Sequence, residues 1–112
     1  MKKHVLKSNE DFNKIIKEGK RISNSHFTVY SLPSLSLDIG DLKIGISVGK
    51  KLGKAHVRNR EKRIVREIIA KIISNNKLDN KCYVIMARPN SIGAKYSVQD
   101  QKITELFKRE MK

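Results

Sequence analysis

Residues 42–66 read LKIGISVGKKLGKAHVRNREKRIVR, and the fold turns on them. Leu42, Ile44, Ile46 and Val48 alternate with Lys43, Gly45 and Ser47. That is the period-two pattern of a strand. Lys50 to Lys54, with Gly49 and Gly53, form a basic loop. From Ala55 the period changes. At 100° per residue Val57, Ile64, Val65, Ile68 and Ile72 gather on one side of a helix that runs to about Ile73. Arg58, Asn59, Lys62, Arg63 and Arg66 gather roughly opposite, and Arg60 lies at the edge of this basic stripe. Cys82 to Ala87 is a strand of buried type, ended by Arg88-Pro89-Asn90. The parallel crossover therefore runs from the strand at 42–48, through the basic helix, to the strand at 82–87. General rules give such a crossover a right hand.

The rest of the chain fits around that unit. Residues 8–18, SNEDFNKIIKE, read as a first helix. Ser8 serves as its N-cap, Glu10 and Asp11 suit its first turn, and Gly19 stops it. Phe12, Ile15 and Ile16 form its apolar stripe. There is room for a short strand at 20–23. In the next strand Phe27 and Val29 share one face and Thr28 and Tyr30 the other. Phe27 belongs to the core, while Tyr30 suits either a surface contact or the core edge. Pro33 to Asp41 reads as a loop and Asn75 to Asn80 as a polar turn. Ser97-Val98-Gln99-Asp100 resembles a capping signal opening a last helix, with Val98, Ile103, Leu106 and Phe107 on its apolar stripe. The order is α-β-β-β-α-β-α: an α/β (α+β) two-layer sandwich with about four strands, one domain over residues 1–112.

The chain has 112 residues and a formal net charge of +14. Its 38% apolar content is too high for a disordered basic tail. No stretch is long and apolar enough for a membrane span, and the N-terminus lacks the apolar run of a signal peptide. One cysteine, Cys82, and three scattered histidines make no zinc-site spacing. These features point to a reduced, cytoplasmic protein whose partner is a polyanion.

The charge is concentrated. Residues 50–66 hold Lys50, Lys51, Lys54, Arg58, Arg60, Lys62, Arg63 and Arg66 against one acid, Glu61, so half of the net charge sits in 17 residues. Four of the seven arginines fall here, against a background of 18 lysines. A guanidinium makes forked bonds to phosphate and stacks on bases, which an ammonium cannot do. The acids share no motif, the histidines have no recurrent spacing, and Gly49 to Lys54 lacks the pattern of a nucleotide-binding loop. No catalytic residue and no metal ligand are expected from this chain. His56 beside the basic stripe suits a partly buried structural role or an RNA contact. A rigid comb of arginines suits structured RNA, although charge alone also admits DNA.

Ser47-Val48-Gly49-Lys50-Lys51-Leu52-Gly53-Lys54-Ala55-His56-Val57-Arg58-Asn59-Arg60-Glu61-Lys62-Arg63 resembles the protein component of bacterial ribonuclease P. That family carries a strand ending in Ser-Val-x-Lys-Lys, a Gly-x-Ala turn and a helix beginning Arg-Asn-Arg-x-Lys-Arg. Asn9-Glu10-Asp11-Phe12 with Gly19, Phe27-Thr28-Val29-Tyr30 and Ile85-Met86-Ala87-Arg88-Pro89 match its remaining blocks in order. The resemblance implies a subunit that binds a catalytic RNA and the 5′ leader of precursor tRNA. The RNA then removes that leader with Mg2+ held mainly by RNA and substrate phosphates. It implies that Lys50, Lys51, Lys54, Arg58, Asn59, Arg60, Lys62, Arg63 and Arg66 face the catalytic RNA. It also implies a leader cleft formed by Phe12, Ile16, Thr28, Tyr30 and Lys62. The family often has an aromatic at Ile16 and a serine at Gly49. It further implies an unusual left-handed β-α-β crossover, against the general rule. No obligate protein partner and no membrane are implied. The alternative is a ribosome-associated or other structural RNA-binding protein with no role in tRNA processing.

Overall fold

The computed structural model describes residues 6, 9–33, 42–75 and 81–110. Their order is α1 (Asn9–Glu18), β1 (Lys20–Ser23), β2 (Phe27–Pro33), β3 (Lys43–Ser47), α2 (Ala55–Asn75), β4 (Lys81–Ala87) and α3 (Tyr96–Glu110). Single turns of 3-10 helix lie at Lys50–Leu52 and Pro89–Ser91. The four strands form one mixed sheet in the order β1-β2-β4-β3. β2 is antiparallel to β1 and β4, whereas β3 runs parallel to β4. The crossover through α2 is therefore present, and its two strands are neighbours.

The strand alternation separates the two faces of the sheet. One face presents Phe27, Val29, Ile44, Tyr83 and Ile85 to Val65, Ile68, Ile69 and Ile72 of α2 and to Ile103, Leu106 and Phe107 of α3. Fully burying one such aliphatic side chain contributes about 1.5–3 kcal/mol, so this face carries most of the stability. The Tyr83 and Phe107 rings meet tilted, with centroids 5.1 Å apart. Sheet, α2 and α3 make the expected two layers. The other face is covered in part by α1, whose Ile15 packs with Leu6, Cys82 and Val84. Phe12, Tyr30, Leu32 and Met86 surround that smaller cluster. Among the described residues α1 is the one helix on this second face.

Several boundaries differ from the sequence reading. Pro33 is the last residue of β2, opposite Lys81, and not the start of a loop. A proline fits at a strand end because it needs to give no ladder donor there. The expected loop at 34–41, the cap Ser8 and the turn at 76–80 lie outside the described residues. Leu52 N–H donates to Gly49 O, so the basic loop contains a helical turn. α3 begins at Tyr96, ahead of the Ser97 signal: Lys95 O accepts from Val98 N–H and Gln99 N–H. Ser97 is exposed in the first turn and caps nothing, because Gln99 is drawn into the core instead.

Candidate nucleic-acid interface

The interface begins at the turn that launches α2. Gly53 has φ +151°, a conformation that L side chains rarely adopt, and an added Cβ would press on Val57 at 3.2 Å. This turn leaves the Gly53 carbonyl free to accept from Arg58 Nε at 3.1 Å. Arg58 is half-buried, and its guanidinium is held back against the turn. Beyond it Lys50, Lys51, Lys54, Asn59, Arg60, Arg63 and Arg66 are exposed, and Lys62 is half-buried. Among the described residues none of these cations is paired with a carboxylate. Their full charge is available to phosphate, where charge-assisted bonds are the strong ones.

Glu61, the one acid within the basic run, lies elsewhere. It is 2% exposed and faces α3. Its Oε2 accepts from Gln99 Nε2 at 3.1 Å and its Oε1 from Gly93 N–H at 3.3 Å. Gln99 Nε2 also donates to Ala94 O, while Gln99 Oε1 has no partner. The carboxylate therefore ties α2 to the start of α3 and is withdrawn from the basic face. Nothing in the sequence marks it as buried except its position at the angle of Val65, Ile68 and Ile72.

Lys62 and Arg66, one turn apart, lean the opposite way, towards β3. With Leu6, Phe12, Ile44, Gly45 and Ile46 they line a cavity of about 160 Å3. The Phe12 ring stands on Gly45: a Cβ at that position would lie 2.2 Å from its Cζ. The absence of a side chain on β3 is what lets an aromatic of α1 close this cavity against two cations of α2. Leu6 N–H donates to Ile44 O at 2.9 Å and covers part of the β3 edge. A wider depression of about 710 Å3 follows the outer side of α3, lined by Asp100, Gln101, Thr104, Glu105, Lys108 and Arg109. Its charges are mixed and its described lining comes from a single helix, so the smaller basic cavity is the better site.

The other expected cleft residues fall on the α1 face of the sheet. Tyr30 is half-buried at the edge of the Ile15 cluster, and Ile16 is 37% exposed. Thr28 shares the face but is 6% exposed and forms part of the floor. Phe27 is in the core, as expected. His56 is exposed on the outer surface of α2 and not partly buried, because the Gly53 turn aims the first helical residues at solvent. Among the described residues no group of three or more His, Cys, Asp or Glu could hold a metal ion.

The sequence profile described as Ribonuclease P matches residues 1–111. The chain belongs to the ribonuclease P protein family. It is similar to the ribonuclease P protein component of Bacillus pumilus, with 33% identity over 96% of this chain and 88% of that one. A Bacillus cereus protein component is 37% identical over 96% and 91%. Among solved structures, the RNase P protein of Staphylococcus aureus superposes with a TM-score of 0.83 at 29% identity, covering 96% of this chain and 94% of the other. That of Thermotoga maritima gives 0.81 at 30% identity, with 93% and 94% covered. Family membership makes the chain the protein component of ribonuclease P, the endoribonuclease of tRNA 5′ processing. Among its described residues no helix is long and apolar enough to cross a membrane.

Proposed function

We propose that this subunit works in the cytoplasm and uses two adjoining surfaces, one for the catalytic RNA and one for the 5′ leader of precursor tRNA. Lys50, Lys51, Lys54, Asn59, Arg60 and Arg63 bind phosphates of the catalytic RNA, with Arg58 bracing the turn beneath them. Lys62 and Arg66 face the Phe12 cavity and, with Ile16, Thr28 and Tyr30, receive the leader. Ile16 contributes apolar contact, and Phe12 and Tyr30 offer ring faces to bases. The observation that carries this reading is the Phe12–Gly45 cavity, which joins the basic helix to the α1 face of the sheet. A strand of RNA leaving the α2 surface has a basic and aromatic entrance into the cleft.

The work of the protein is electrostatic positioning. Each phosphate neutralised releases counterions, so binding weakens steeply with salt. Contacts to the leader are available to the precursor and lost in the product, so the subunit favours substrate over mature tRNA. Mg2+ is assigned to RNA and substrate phosphates.

Two measurements test this. Adding the protein to ribonuclease P RNA and precursor tRNA at low magnesium should raise leader cleavage, and cleavage that ignores the protein overturns the reading. Arg60→Ala and Arg63→Ala should each weaken binding to the catalytic RNA by roughly 1–3 kcal/mol. Each should also flatten the slope of log affinity against log salt by about 0.7–0.9. An unchanged salt slope in both would remove the α2 surface from the RNA contact.

A further inference from the structure

One arginine outside α2 has no structural task. Arg88 and Arg109 donate to the backbone carbonyls of Asn24 and Ser23 and so hold the β1–β2 turn. Arg21, on β1, is exposed and makes no hydrogen bond or ion pair among the described residues. Its place in the sheet is specific. Arg21 lies directly across from Tyr30, Tyr30 across from Val84, and Val84 across from Gly45. All four share the face that carries α1. This transverse row starts under the Phe12 ring, beside Lys62 and Arg66, and ends at Arg21 on the opposite edge. It spans three strand spacings, about 14 Å. The adjoining row, Ser47, Met86, Thr28 and Ser23, adds three hydroxyl residues and no charge. Lys43 also belongs to this face, but it sits at the Cys82 end and is already engaged.

We propose that Arg21 is a further substrate-binding residue, which holds a phosphate of the leader at the β1 edge after the strand has passed Tyr30. The proposal rests on the leader-cleft reading above and extends it. A single strand that enters between Lys62 and Arg66, because α2 is docked on the catalytic RNA, crosses the sheet towards β1. Bases meet the ring of Tyr30, and the next charged group met is a forked guanidinium already facing that ring's side of the sheet. A guanidinium there binds a phosphate oxygen pair or stacks on the outgoing base. Affinity for precursor then depends on leader length, since a leader too short to cross the sheet never reaches Arg21.

The experiment uses the reconstituted holoenzyme and a series of precursor tRNAs, from a one-nucleotide leader to leaders long enough to overrun the sheet. Wild type, Arg21→Ala, Arg21→Lys and Tyr30→Ala are compared by equilibrium binding. For long leaders Arg21→Ala should weaken binding about tenfold, the scale of one charge-assisted contact. It should not alter binding of the one-nucleotide leader, and Arg21→Lys should recover part of the loss. Its melting temperature should match wild type, because Arg21 is exposed and unpaired. Equal affinity of Arg21→Ala and wild type at every length, with Tyr30→Ala weakened, overturns the Arg21 assignment and leaves the cleft standing. An equal loss at every length also overturns it, since Arg21 would then act on assembly. If neither variant changes binding, the leader cleft itself falls and Arg21 with it.

Discussion

Gly45→Ala isolates the contact on which the cleft depends. The added Cβ would lie 2.2, 2.7 and 2.8 Å from Cζ, Cε2 and Cε1 of Phe12, where ordinary contact begins at 3.4 Å. The tip of the ring must withdraw by at least 1.2 Å, the difference between 3.4 and 2.2 Å. α1 cannot follow as a body, because Ile15 is fully buried between helix and sheet. Phe12 must instead turn about its own torsions and leave the cavity mouth. Overpacking of this kind costs about 1–3 kcal/mol. Removing a strand glycine returns about 0.5–1 kcal/mol of chain entropy. The net loss is thus between about 0 and 2.5 kcal/mol, and a domain near this size loses about 4–8 °C of melting temperature per kcal/mol. Thermal unfolding followed by circular dichroism measures it. In a Phe12→Ala background the clash is gone, so the same substitution should stabilise by about 0.5–1 kcal/mol, and the two changes should couple by about 1–3 kcal/mol. Precursor affinity should fall in Gly45→Ala while affinity for the catalytic RNA at Arg60 and Arg63 stays unchanged. An equal cost in both backgrounds, or undiminished precursor binding, would refute the claim that Gly45 exists to seat Phe12.

Other perturbations address the frame that holds the interface. Glu61→Ala leaves Gly93 N–H without its acceptor and should cost roughly 1–3 kcal/mol in urea unfolding. Glu61→Gln keeps an acceptor oxygen and should cost less, and a reversed order would show that the bonds to α3 do not matter. The Asp100 carboxyl is held below its usual range by the hydrogen bond from Lys71, helped by Thr104, and the same bond raises Lys71. Its contribution is therefore full above the ordinary Asp pKa and lost as pH falls through the lowered folded value. The Lys71 side is full below the ordinary Lys pKa and lost as pH rises through the raised one. The pair is exposed and worth little, so Asp100→Asn should melt slightly below wild type at neutral pH and converge with it in strong acid. A constant gap across the acid range would contradict the linkage. Sulfate or phosphate should raise the melting temperature of the free protein, since the unpaired cations of α2 bind anions only when folded. A melt that ignores these anions would contradict it.

The elements were legible because their signals are local. The period-two run at Leu42–Val48 and the helical spacing of Val65, Ile68 and Ile72 need no knowledge of neighbours, and both became what they read as. The concentration of arginine likewise pointed at the surface that the turn at Gly53 projects outward. What stayed hidden depends on strand order. Gly45, Tyr30 and Arg21 are distant in sequence, and only the order β1-β2-β4-β3 sets them in one row. The Ser97 signal misled for a related reason: the side chain two residues later, Gln99, had a buried carboxylate to meet across the helix pair.

Glu61 shows why an acid belongs in the middle of a basic comb. The apolar side of α2 is fully used against the sheet, so Val65, Ile68, Ile69 and Ile72 fix where the basic side faces from mid-helix onward. The first two turns have less of that grip: Ala55, His56, Asn59 and Arg60 are exposed, and Val57 is half-buried beside the Gly53 turn. Without another restraint the end of the helix that carries most of the proposed RNA contacts would be the end least held. Arg58 bonded to Gly53 O and Glu61 bonded to α3 supply that restraint, one to the turn before the helix and the other to the helix beside it. A leucine at position 61 would fill the space, but it would leave Gly93 N–H without its acceptor and Gln99 Nε2 with only Ala94 O. The carboxylate accepts from both while its charge, turned inward, neither pairs with the arginines nor takes a place on the proposed RNA surface.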